Sequence, residues 1–147
     1  DRSEVHMVSQ LIYTSDAAPG LGEADLAAIL AAAHRNNPAL GLTGMLLYGR
    51  GHFIQVLEGS DDAIEAMMDR IESDPRTGNI RRLMLRSVDA SEFADWSMGF
   101  RQLSEADWST HPAINRFFDD PPDMSNFKAF GSPARFVLQA FRDLQGQ

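Results

Sequence analysis

The sequence predicts an α+β domain of ferredoxin-like type, a βαββαβ sheet extended by a fifth strand, and three observations carry that expectation. Segments rich in strand formers alternate with segments of helical apolar spacing in the order strand, helix, strand, strand, helix, strand. The two middle strands are joined by only Gly49-Arg50-Gly51, a tight-hairpin signal. The length, 147 residues, suits one domain with a core of its own.

The elements follow in order. Val8 to Tyr13 reads as the first strand, with Ser9, Leu11 and Tyr13 on one face and Val8, Gln10 and Ile12 on the other. A turn with Pro19 and Gly20 leads to an alanine-rich helix over Glu23 to Arg35, striped by Leu26, Ile29, Leu30 and Ala33. Pro38 is expected to end that helix near Asn36. Strands over Leu42 to Tyr48 and His52 to Glu58 flank the hairpin. Ser60 is the expected N-cap of a second helix, with Asp61 and Asp62 at the positive end of its dipole. Ile64, Met67, Met68 and Ile71 form its apolar stripe, and Asp74-Pro75 stops it.

Ile80 to Val88 and Trp96 to Leu103 read as strands four and five, separated by a loop containing Asp89 to Asp95. Both long helices are expected on one sheet face, which leaves the other bare. Short helices over Ser104 to Thr110 and Pro112 to Phe118, a loop over Asp119 to Gly131, and a last helix opened by Ser132-Pro133 can cover it. Phe136, Val137, Ala140, Phe141 and Leu144 give that last helix an apolar stripe to bury. The expected division is residues 7–103 as one domain and 104–147 as a helical cap or output segment. His6-Met7 is a junction that expression vectors leave, so residues 1–6 are set aside as foreign to the fold.

Composition excludes several functions. Apolar residues at 44% and charged residues at 23% are those of a soluble globular protein, and a cytoplasmic location is expected. No apolar run is long enough to cross a bilayer, so no membrane contact is expected. The absence of cysteine removes disulfides, thiol catalysis, thiolate metal sites and any cysteinyl–flavin adduct. A net charge of −8 argues against direct contact with nucleic acid. Arg81, Arg82 and Arg86 read as solvated edge charges, since alternation splits them between faces. His6, His34, His52 and His111 have no spacing that suits a metal, and no metal site is expected.

A few polar residues are placed to point inward. Tyr13 falls on the helix-facing side of the first strand, and Gln55 sits in the middle of a central one. A buried glutamine needs partners for both its carbonyl and its amide nitrogen. Asn36 and Asn37, at the end of the first helix, can present amides to the same space. Each alone has an ordinary reading: a core tyrosine, a glutamine bonded to a loop, a helix-ending asparagine. Glu58 and Asp62 read as capping or surface charges, and Ser15 and Thr43 lie near the same space by position.

Taken together, the segments Leu11-Ile12-Tyr13-Thr14-Ser15, Asn36-Asn37, Leu42 to Tyr48, Gly51 to Gly59, Asp74-Pro75-Arg76 and Phe93 to Phe100 resemble the BLUF domains, flavin-binding blue-light sensors. The resemblance spans about Val8 to Leu103, with the motifs in order and correctly spaced. It implies a flavin, FAD by resemblance with FMN as the alternative, held between the two helices. Asn37 would hydrogen-bond the ring's pyrimidine part. Asn36 would flank its edge, and Ile29 and Leu30 would pack on it. Arg76, with Asp74, would meet the carbonyl side.

Tyr13 would be the light-driven electron and proton donor, and Gln55 the relay between it and the flavin. An amide accepts on oxygen and donates through nitrogen, so it can reverse its hydrogen-bond pattern while staying neutral. Trp96 and Met98 match positions tied to signalling. The resemblance is to short, stand-alone members, which implies a photoreceptor rather than an enzyme. It would signal through residues 104–147 to a separate, unidentified protein partner, with a homodimer as an open option. Two other readings stand beside it, a small acylphosphatase-type enzyme and a ligand-free protein-interaction module.

Overall fold

The computed structural model describes residues 8–89, 99–110 and 133–145. Its strands are β1 (Val8–Ala17), β2 (Thr43–Gly49), β3 (His52–Gly59), β4 (Thr77–Val88) and β5 (Gly99–Gln102). The helices among the described residues are α1 (Glu23–Leu40), α2 (Asp61–Glu72), α3 (Glu105–Thr110) and α4 (Pro133–Gln145). One sheet carries the strands in the order β4-β1-β3-β2-β5. β1 runs antiparallel to β3 and β4, β2 antiparallel to β3, and β5 parallel to β2. This is the expected ferredoxin-like sheet with β5 added at the β2 edge.

Alternation along each strand divides the core in two. Leu11, Tyr13, Leu46, Phe53 and Leu57 point toward α1 and α2, where Leu26, Ile64, Met67 and Met68 meet them. Ile12, Met45, Leu47, Ile54 and Val56 point the other way, against Leu103, Trp108 and the α4 residues Phe136, Val137 and Phe141. A sheet covered on both faces explains why β2 and β3 read as nearly continuous apolar runs. In α4, Phe136, Val137, Ala140 and Phe141 are buried as the stripe requires. The Leu144 side chain lies outside the described set, as do the helix expected over 112–118 and the loop over 119–131.

Several boundaries differ from expectation. α1 runs through Pro38 to Leu40. Proline there forfeits one helical hydrogen bond, in the last turn, where the loss is smallest. Gly41, at φ 74°, ends the helix instead, and the N–H groups of Gly41 and Leu42 donate to the carbonyls of Pro38 and Asn37 at 3.1 and 2.8 Å. β1 continues to Ala17 and β4 starts at Thr77, because these ends pair with each other across the sheet. Two irregularities interrupt this ladder, between Ile12 and Tyr13 and between Thr14 and Asp16. They flank the Tyr13 position, as bulges commonly do beside sites.

Glu58 is not a surface charge: it is 1% exposed and accepts from Gln10 Nε2 at 2.7 Å. Gln10 Oε1 in turn accepts from Arg86 Nε at 3.0 Å, so Arg86 is tied into the rear face rather than solvated. Arg82 stays exposed, as expected, and pairs with Glu65 at 2.8 Å. Of the fifth strand, only Gly99–Gln102 is described, and Trp96 and Met98 lie outside the described residues.

The hairpin turn places Arg50 at φ 53° and Gly51 at φ 76°, the mirror-image backbone that suits right-twisted strands. Arg50 reaches α3, donating to the Glu105 carboxylate at 3.0 and 2.7 Å, and its guanidinium lies 4.8 Å from the Trp108 ring centre. The tip of the β2–β3 hairpin is thereby fastened to the C-terminal segment.

Gly44 marks the closest approach of β2 to β3. A Cβ there would stand 2.0 Å from the Val56 carbonyl oxygen, a backbone atom that cannot step aside. Gly44→Ala is expected to destabilise the fold by about 2 kcal/mol or more, as overpacking in a core does. Chemical denaturation of the two proteins measures it, and equal midpoints would refute it.

Candidate functional site

Between α1, α2 and the sheet lies a cavity of about 220 Å³. Its walls come from four sources. Ile29, Ala32, Ala33, Asn36 and Asn37 line it from α1. Met67, Arg70 and Ile71 line it from α2, and Asp74, Arg76 and Thr77 from the segment that enters β4. The sheet floor is Tyr13, Ser15, Leu46, Phe53 and Gln55. The cavity exists because α1 buries little of itself: only Leu26 and Asn37 are fully buried along the helix. Alanines at 32 and 33 keep its inner face shallow where a bulkier stripe would have closed on the sheet.

Tyr13 and Gln55 face each other by register, as cross-strand partners in the β1–β3 ladder. Both point to the helix side, and both are buried, at 3% and 5% exposure. The Tyr13 hydroxyl donates to Gln55 Oε1. Burial pushes the Tyr13 phenol well above its ordinary pKa, because the phenolate would lose its hydration. Tyr13 is therefore a neutral donor throughout the physiological range, and its proton has one defined acceptor, the oxygen of an amide.

Asn37 is completely buried. Running α1 past the proline keeps Asn37 inside the helix, on the turn that faces the sheet. The residue is otherwise engaged, but its Oδ1 is buried and meets no donor of the described protein. Asn36, next along the helix, also lines the cavity and is half-buried.

Asp74 and Arg76 form a forked ion pair at the cavity wall, with Arg76 Nη2 2.6 Å from Asp74 Oδ2 and Arg76 Nε 2.9 Å from Oδ1. The Arg76 guanidinium holds the Asp74 carboxyl below its usual range, so both carry charge. Asp74 thus acts on the cavity partly through the arginine it orients. Arg70 adds a second positive charge to the lining.

Tyr13, Ile29, Asn36, Asn37, Gln55, Asp74 and Arg76 are all brought to this one cavity. Thr43 is not: it starts β2 opposite Glu58, away from the lining. Leu30 is not among the lining residues: it is half-buried and packs against the core on the α1/α2 side of the sheet. Arg70, Thr77, Phe53 and Leu46 are lining residues that sequence reasoning missed. Phe53 and Leu46 had a signal, since they share strand parity with Gln55 and with its cross-strand position on β2. Arg70 and Thr77 had none, because the first sits beside an apolar stripe and the second lay outside the strand expected there. Among the described residues no group of acidic or histidine side chains could hold a metal ion, and no helix is long and apolar enough to cross a membrane.

The lining fits an isoalloxazine. Apolar side chains from both helices and the sheet offer flat contact. A few convergent polar groups stand at the edges, the pattern of a small-molecule site. Asn37 Oδ1 can accept from a ring N–H, and Arg76 and Arg70 can meet carbonyl oxygens.

Comparison with known proteins agrees with this geometry. The family model described as BLUF, sensors of blue light using FAD, matches residues 8–99. The chain is 34% identical over 92 residues to the photoactivated adenylate cyclase subunit beta of Euglena longa, a match covering 62% of this chain and 11% of that protein. The chain thus spans about a tenth of the length of the cyclase subunits it matches. The dark-state structure of BlrB, a BLUF protein, superposes with a TM-score of 0.68 at 32% identity, over 76% of this chain and 84% of BlrB. The ground state of BlsA gives 0.72 at 28% identity, over 87% of each chain.

Proposed function

The chain belongs to the BLUF family of blue-light sensors using FAD, and from that premise we propose that it is a photoreceptor read out by the Tyr13–Gln55 pair. The observation that carries the proposal is the buried hydrogen bond from the Tyr13 hydroxyl to Gln55 Oε1, set in the wall of the cavity between α1, α2 and the sheet.

Asn37 and Asn36 would hold the ring from α1 and the Asp74–Arg76 pair from the segment entering β4, while Ile29 would pack on it. When bound, the flavin supplies the visible absorption and, once excited, the oxidising power. Tyr13 would lend an electron to that oxidant and its phenolic proton to Gln55 Oε1, and the electron would return to Tyr13 at the end of the cycle. The proton that Gln55 Nε2 would release restores the Tyr13 phenol, so the amide stays neutral and its donor and acceptor ends exchange. Gln55 would then present the reversed hydrogen-bond pattern to the ring edge, the change expected to move the absorption band to the red. FAD is the assigned cofactor, and FMN is the alternative, since the lining contains no glycine-rich phosphate cradle.

We assign no catalysis to residues 7–103. The output runs to a separate protein partner through residues 104–147, with Trp96 and Met98 on the way. The Arg50–Glu105 contact supports that route, since it joins the β2–β3 hairpin turn, which leads into the strand bearing Gln55, to α3. A cytoplasmic setting without direct nucleic-acid contact fits the charge of −8.

The test is an absorption spectrum of the purified, flavin-loaded protein before and after blue light. The expected result is a yellow protein whose band shifts to the red and returns in the dark. A yellow protein with no reversible shift would leave flavin binding and remove the sensor reading. A protein that takes up no flavin would revive the interaction-module reading.

A further inference from the structure

Thr77 carries an unexplained group. Its Oγ1 is buried and meets no hydrogen-bond partner among the described residues, yet the residue lines the cavity. A buried hydroxyl is costly unless something satisfies it. The backbone around it is fully used: the Thr77 N–H donates to the Asp74 carbonyl at 3.3 Å, and the Arg76 carbonyl accepts from the Ala18 N–H at 2.9 Å. The hydroxyl therefore contributes nothing to this turn. Valine would fill the same shape at the start of β4, and would do so without an orphaned polar atom.

Thr77 pairs with Ala17, the last partner in the β1–β4 ladder, and Ala17 packs on the α1/α2 side of the sheet. Ala17 lies four residues beyond Tyr13, roughly 13 Å along the strand. The hydroxyl therefore stands at the opposite end of the cavity from the Tyr13–Gln55 pair, beside Arg76.

We infer that Thr77 is a ligand-binding residue whose hydroxyl donates a hydrogen bond to an oxygen of the bound flavin, at the end of the cavity remote from Tyr13 and Gln55. The inference rests on the flavin reading above. It assigns Thr77 to affinity and not to photochemistry.

The experiment titrates the flavin-free full chain with riboflavin, followed by quenching of riboflavin fluorescence. The chains compared are the parent, Thr77→Val and Thr77→Ser, each with its melting curve recorded. Losing one hydrogen bond at constant shape should raise the Thr77→Val dissociation constant about threefold to tenfold. Thr77→Ser keeps the hydroxyl and should bind close to the parent. Loaded Thr77→Val should show the parent's light-induced shift. Parent-like affinity in Thr77→Val overturns the inference, as does a Thr77→Ser loss equal to that of Thr77→Val. If the parent itself binds no riboflavin, the flavin reading falls, and this inference with it.

Discussion

Gln55→Leu should leave the protein yellow and abolish its light-induced red shift. Leucine has nearly the volume of glutamine, so the floor of the cavity keeps its shape and flavin still enters. What disappears is the acceptor for the Tyr13 hydroxyl and the amide that the cavity floor presents beside it. Leaving that buried phenol without its acceptor costs about 1–3 kcal/mol, so the melting temperature should fall as well. The difference spectrum after blue light is the decisive readout. A full-sized reversible shift in Gln55→Leu would remove Gln55 from the mechanism. Tyr13→Phe makes a useful partner experiment, since it keeps the ring and the burial and removes the proton.

Asn37→Ala should weaken flavin binding by about tenfold or more, the range expected when a buried hydrogen-bonding amide is removed and its ligand partner is left unmet. The amide is wholly buried, and the fold fixes its direction, because Gly41 and Leu42 close α1 onto the carbonyls of Pro38 and Asn37. A mobile terminal asparagine would lose less. Riboflavin titration measures the effect, and a melting curve separates lost affinity from lost structure. Unchanged affinity would show that the ring is not held from this side. The two variants should divide cleanly, with Gln55→Leu affecting the light response and Asn37→Ala the occupancy.

Much of this was legible in the residues. Alternation in Val8 to Tyr13 placed Tyr13 on the helix side, and Gln55, in the middle of a central strand, was expected to point inward. The cross-strand pairing of Tyr13 with Gln55 then follows from the antiparallel β1–β3 ladder. Ser60 caps α2 as expected, its side chain accepting from the Ala63 N–H at 3.1 Å. Other features were not legible. Pro38 carries a strong local signal to stop a helix, and the chain overrides it for one more turn because Gly41 supplies a better ending. Glu58 reads as a charge beside a helix start, but β1 and β4 tie it to Gln10 and, through Gln10, to Arg86.

Local chemistry in the sequence determined the order of strands and helices, the inward parity of Tyr13 and Gln55, and the apolar stripes that bury the helices. These are short-range properties, carried by periods of two and 3.6 residues and by turn and cap residues. Only the tertiary structure decided how far β1 and β4 extend, which polar groups are enclosed, and that residues as distant as Asn37 and Thr77 share one cavity. Such features arise where segments far apart in the chain meet. Pairing across the sheet and the gap left under α1 are properties of that meeting, and no single segment encodes them.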